Sequence, residues 1–144
     1  MEVERISKLI VNNLSEVERE KLTKQLTPRL TKFIPHIPYP KQAAFLLLDC
    51  REAFYGGAAG GGKSDALLMA ALQYVDIPGY SAILFRRTFA ELTLPEALMD
   101  RAAEWLYPFR KTKEVHWSDK SKTYTFKSGA KLTFGYLDSA NDQR

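Results

Sequence analysis

The chain has 144 residues, 45% of them hydrophobic and 26% charged, with a formal net charge of +4. Those values describe one ordinary globular domain, and a balance this mildly basic does not by itself argue for nucleic acid. A single cysteine and two histidines exclude an internal disulfide and a Cys/His zinc site, and no apolar run approaches the ~18 residues of a membrane span. The N-terminus does not read as a signal peptide, so the cytoplasm is the expected compartment.

A short helix is expected near residues 6–14. Ser15-Glu16-Val17-Glu18 is a capping box that opens a second, strongly charged helix ending at Leu26, before Pro28. Pro35, Pro38 and Pro40 then make an extended connector. Residues 1–38 therefore read as a peripheral helical arm with a proline-rich connector, and residues 39–144 as the main domain.

A short apolar helix over residues 41–48 follows, with Phe45 and Leu48 facing inward. Residues 51–55 read as a strand, and Cys50 beside it as a buried thiol rather than a nucleophile. Directly after comes Gly56-Gly57-Ala58-Ala59-Gly60-Gly61-Gly62-Lys63-Ser64. From Gly57 it fits G-x-x-x-x-G-K-[ST], a phosphate-binding loop. Gly57, Ala58, Ala59, Gly60, Gly61 and Gly62 would wrap a polyphosphate with backbone N–H groups, which glycine allows by tolerating positive φ and close approach. Lys63 would reach the β- and γ-phosphates, and the Ser64 hydroxyl would sit on Mg²⁺. The helix expected from Lys63 to about Val75 would point its N-terminus at the anion. ATP and Mg²⁺ are the cofactors that follow.

Pro78-Gly79 makes a turn. Ser81-Ala82-Ile83-Leu84-Phe85 is a continuous apolar run that suits a buried parallel strand, with Arg86-Arg87-Thr88 at its C-terminal end, the edge where open α/β sheets bind ligands. Thr93-Leu94-Pro95-Glu96 repeats the capping pattern. The helix after it carries Leu98, Ala102, Trp105 and Leu106 on one stripe and is expected to stop before Pro108. Trp105 belongs to the core. Three aromatic, alternating segments, at 115–117, 123–126 and 132–136, form an antiparallel meander. Between Arg110 and Lys131 lie seven basic residues against Glu114 and Asp119. That patch fits a solvated sheet edge, or a phosphate contact. His116 reads as structural. The fold class is α/β: a partial P-loop (RecA/helicase-like) ATPase domain with parallel strands and helices, an N-terminal helical arm and a C-terminal antiparallel meander.

ATP turnover also requires a carboxylate on Mg²⁺ and one that positions water. Asp49 ends an apolar run that precedes the loop, which is the wrong order. Asp138 ends Phe134-Gly135-Tyr136-Leu137, but Ser139 follows it and the run lies in the meander. The expectation is that the catalytic carboxylates lie beyond Arg144, that residues 138–144 are a cut within a loop, and that this chain binds ATP but turns over little.

Pro40-Lys41-Gln42-Ala43-Ala44-Phe45, the run from Phe54 to Ser64, Ile83-Leu84-Phe85-Arg86-Arg87-Thr88, Ser128-Gly129-Ala130 and Leu132-Thr133-Phe134-Gly135-Tyr136-Leu137 together resemble the large terminase subunit of tailed bacteriophages. The resemblance covers residues 39–144. It implies a motor that hydrolyses ATP to drive double-stranded DNA into a preformed capsid, with portal and small-subunit partners, homo-oligomeric at full length. It places Gln42 as the adenine-reading glutamine, since an amide offers both a donor and an acceptor. It places Arg86 and Arg87 where such motors touch DNA or sense the γ-phosphate, and guanidinium suits either partner. A helicase-type P-loop ATPase, and a degenerate prophage remnant that binds nucleotide or DNA, are the alternatives. A small-molecule kinase is weaker, because it leaves the meander and the arginine pair without a role.

Overall fold

The computed structural model describes residues 15–58 and 60–137, so the helix expected at 6–14, together with Ala59 and Asp138, lies outside the described residues. Helix α1 (Glu16–Leu26) starts as the sequence dictates. The Ser15 hydroxyl accepts from the Glu18 backbone N–H, while the Glu18 carboxylate accepts from the Ser15 N–H at 2.9 Å. The Ser15 hydroxyl also donates to the Glu18 carboxylate at 2.7 Å, and this bond first, the backbone N–H second, holds the Glu18 carboxyl below its ordinary range. The helix is strongly charged, and no residue of it is buried, Val17 and Leu26 included.

The connector behaves differently. Thr31 Oγ1 donates to the Leu72 carbonyl at 2.8 Å, and Phe33 and Ile34 are buried in the core. The Phe33 ring stands edge-on to Phe109 and Phe126 at 4.7 and 5.0 Å, so the connector closes the core. Buried Gln73 fastens it further, donating to the carbonyls of Arg29 and Leu46 at 3.2 Å each.

Helix α2 (Pro40–Leu46) has proline at its first position and ends earlier than expected. Leu46 takes the inward place, and Leu48, expected inward, is 56% exposed, because the chain has already left the helix. The strand expected at 51–55 does not form. Residues 52–58 have no regular structure and Phe54 is 98% exposed. Among the described residues, the three apolar residues between Arg51-Glu52 and the glycines find no neighbouring strand for their backbone groups. Cys50, expected to be buried beside that strand, is consequently exposed, its Sγ 3.2 Å from the Glu52 carbonyl oxygen.

Helix α3 (Lys63–Leu72) buries Ala66, Leu68, Met69, Ala71 and Leu72. After it come β1 (Ser81–Arg86), the short α4 (Phe89–Thr93), α5 (Leu98–Lys111), β2 (Val115–Ser118), β3 (Thr123–Phe126) and β4 (Lys131–Tyr136). The sheet order is β1-β4-β3-β2. The expected antiparallel meander is present, and β1 joins it parallel to β4, in register from Ser81 opposite Lys131 to Arg86 opposite Tyr136. The chain is thus mixed α/β with one four-stranded mixed sheet.

Strand alternation decides what the sheet covers. Ala82 and Leu84 of β1 face the same way as Leu132 and Phe134 of β4, into a core shared with α3 and α5 through Leu68, Leu72, Ala102 and Leu106. On the opposite face Ile83 and Phe85 remain 52% and 48% exposed. The buried strand expected at 81–85 is therefore covered on one side only. On the open face an added Cβ at Gly135 would meet the Phe85 ring at 2.5 Å, so a side chain there would have to displace that half-exposed ring.

Two helix boundaries differ from the sequence expectation. Thr88, not Thr93, caps a helix, accepting from the Glu91 N–H at 3.3 Å. The Thr93 hydroxyl turns back onto the Phe89 carbonyl at 3.2 Å and is no longer free to cap. Helix α5 also runs through Pro108 to Lys111. A proline there frees only the carbonyl four residues back, on exposed Glu104, where water can serve it. Trp105 lies in the core as expected, with the His36 ring edge-on at 5.0 Å.

Candidate functional site

The glycine-rich loop enters α3 with Gly62 in the left-handed region at φ 70°. A side chain at position 62 would be strained, and its Cβ would lie 2.7 Å from Gln42 Nε2. Gln42, 2% exposed, explains the tight approach. Its Nε2 donates to the Gly62 carbonyl at 2.9 Å, and its Oε1 accepts from the Tyr39 N–H at 2.9 Å. The glutamine thus ties the start of α2 to the start of α3 across twenty residues of sequence. Each end of its amide keeps one further hydrogen-bonding position.

Lys63 folds back over the loop. Its Nζ donates to the carbonyls of Gly57 and Ala58, at 2.9 and 2.5 Å, and the Gly61 N–H also donates to Ala58 at 3.2 Å. The loop is held closed by its own lysine. An anion entering the cradle competes for that ammonium, offering charged oxygens in place of carbonyls.

Arg86 comes from the C-terminal end of β1, the sheet edge expected to carry ligand contacts. Its guanidinium reaches back to Ser64 Oγ at 3.3 Å. Arg87, one residue on, is exposed. The two arginines are therefore not equivalent: one meets the loop and the other meets solvent.

Sequence reasoning missed four further contributors. Asp65, the second residue after Lys63, is paired with Arg101 of α5, NH1 to Oδ1 at 2.7 Å. Arg101 shares with Gly60–Asp65 the lining of a cavity of about 190 Å³. A larger, contiguous opening of about 770 Å³ is lined by Tyr39, Gln42, Tyr55, Gly60 and Asp65, among others. Tyr55 is braced by Phe45, ring centroids 4.9 Å apart. No local motif announces Arg101, which lies thirty-six residues from its partner, and Tyr55 read only as part of an apolar run.

The donor set fits a polyphosphate: an ammonium, two guanidinium groups, a hydroxyl and a loop of glycines. The small cavity adjoins the larger opening, whose volume is in the range of small-molecule sites. Lys63 and the loop would hold the phosphates and Ser64 the Mg²⁺, which neutralises developing charge when bound. Among the described residues no group of three or more His, Cys, Asp or Glu side chains is placed to hold a metal by itself. The basic patch expected between Arg110 and Lys131 lies elsewhere, around the meander. Part of it is neutralised, with Lys122 2.8 Å from Asp119. His116 is exposed on β2. No helix among the described residues is long and apolar enough to cross a membrane. Comparison with family models, curated proteins and solved structures yields no match to this chain.

Proposed function

We propose that the chain is the ATP-binding part of a P-loop motor ATPase of the viral DNA-packaging kind, its grip on nucleotide formed by Lys63, Ser64 and the glycine loop. The observation that carries this is convergence. Gln42, Gly62, Lys63, Ser64 and Arg86 come from three separate segments of the sequence and meet at one loop. A flexible glycine linker would have no reason to be cross-braced from both sides.

The chemical roles follow from the residues. Lys63 exchanges loop carbonyls for phosphate oxygens. Ser64 supplies a hydroxyl to Mg²⁺, and Arg86, already at that hydroxyl, meets the terminal phosphate. Gln42 fixes the loop and offers its remaining donor and acceptor to the adenine edge. Arg87, exposed at the same sheet edge, is the candidate contact for a DNA backbone.

Titration of a fluorescent ATP analogue, with and without Mg²⁺, tests the grip, and anisotropy of a labelled duplex over a salt series tests the DNA contact. Saturable, Mg²⁺-strengthened nucleotide binding and salt-sensitive duplex binding weakened by Arg87→Ala are expected. Duplex binding without nucleotide binding would favour a DNA-binding remnant.

A further inference from the structure

The relation between Asp65 and Arg101 has a chemical consequence beyond fixing α5 to α3. Asp65 borders both cavities: the small one with Arg101 and the loop, and the large one with Tyr39, Gln42 and Tyr55. Building on the nucleotide-site reading, we propose that Arg101 is a positioning residue for the phosphate nearest the nucleoside, working as a pair with Asp65. Arg86 serves the terminal phosphate, at Ser64.

Three observations carry it. The first is place. Arg86 meets Ser64, where Mg²⁺ and the terminal phosphate belong, whereas Arg101 meets Asp65, among the described residues the one side chain besides the loop glycines that lines both the small cavity and the larger opening. The phosphate at such a junction is the α-phosphate. The second is unused capacity. Of the five N–H donors of a guanidinium, NH1 is bonded to Asp65, and Nε is buried with no acceptor among the described residues. A buried donor without a partner is costly, and among the described residues no second acceptor holds the guanidinium away from an anion. The third is charge. An unpaired carboxylate at the mouth of a phosphate cavity would repel the ligand. Arg101 neutralises Asp65 and still presents its remaining donors, more of them than a lysine has and in a fixed plane.

The test is binding of ADP and ATP, each with Mg²⁺, by calorimetry on the whole chain. Arg101→Met keeps the apolar stem. It is expected to weaken ADP and ATP alike by about tenfold or more, leaving their ratio unchanged. Asp65→Asn added to Arg101→Met should regain part of that loss. Arg86→Met should instead weaken ATP more than ADP. Unchanged ADP affinity in a folded Arg101→Met chain, or a loss confined to ATP, overturns the assignment. Should Arg101→Met not fold, Arg101→Lys decides, with a several-fold loss for both nucleotides expected and wild-type affinity overturning the proposal. Failure of the unmodified chain to bind either nucleotide is a separate result, which removes the nucleotide-site reading itself.

Discussion

Arg86 NH2 lies 3.3 Å from Ser64 Oγ, so the last residue of β1 touches the second residue of α3. The contact separates two adjacent arginines that the sequence leaves equivalent. A charge-assisted contact of this kind is worth ~1.5–3 kcal/mol when its partner is an anion. Arg86→Ala should therefore weaken Mg-ATP binding by about tenfold or more, while Arg87→Ala changes it by less than about twofold. Equal effects of the two, measured by titration, would remove the assigned role.

The Gln42–Gly62 brace predicts a different phenotype. Gly62→Ala places a Cβ 2.7 Å from Gln42 Nε2 at a φ of 70°, so both strain and overlap arise. The expected cost is ~1–3 kcal/mol in denaturant unfolding, together with loss of nucleotide binding. Gly79→Ala, whose φ is 81° but whose added Cβ would meet nothing within 4 Å, isolates the strain alone and should cost less.

Core and surface leucines should separate cleanly. Leu68 is fully buried in α3 and Leu48 is 56% exposed. Leu68→Ala is expected to cost ~2–5 kcal/mol, and Leu48→Ala to stay within about 0.5 kcal/mol. Comparable destabilisation would mean that Leu48 is packed, as its sequence position alone had suggested.

Acid sensitivity has a defined sign. The Lys32 ammonium hydrogen-bonded to the Glu114 carboxylate holds that carboxyl below its ordinary value of 4.5. A depressed carboxyl contributes stability that is complete above its unfolded pKa and is lost as pH falls through its folded one. Melting temperature should therefore fall below pH 4.5, and Glu114→Gln should flatten that fall while changing nothing in its slope near pH 7. A variant curve parallel to wild type throughout the acid range would contradict this.

Much of the fold was legible because local chemistry decided it. Ser15-Glu18 capped a helix, Ser81–Arg86 formed a strand, and the aromatic alternation of 115–136 gave a meander. What failed was competition between neighbours. Thr88 captured the cap that Thr93 was expected to supply, Pro108 was tolerated near the end of α5, and residues 51–55 found no strand to pair with. The meander's union with β1 is a long-range pairing with no local signature. The loop itself was legible down to Lys63 and Ser64, since glycine spacing is dictated by backbone geometry. Arg101 was not, because a salt bridge across thirty-six residues leaves no pattern along the chain.

The cradle itself is tested most directly by calorimetric titration of Mg-ATP into the unmodified chain and into Lys63→Ala. Among the described residues Lys63 bonds only loop carbonyls, and it lies outside the core, so the variant should fold with a melting temperature near that of the unmodified chain. Saturable 1:1 binding to the unmodified chain, lost in the variant, is the predicted result. Absence of binding to the unmodified chain, or equal binding by both, would contradict it.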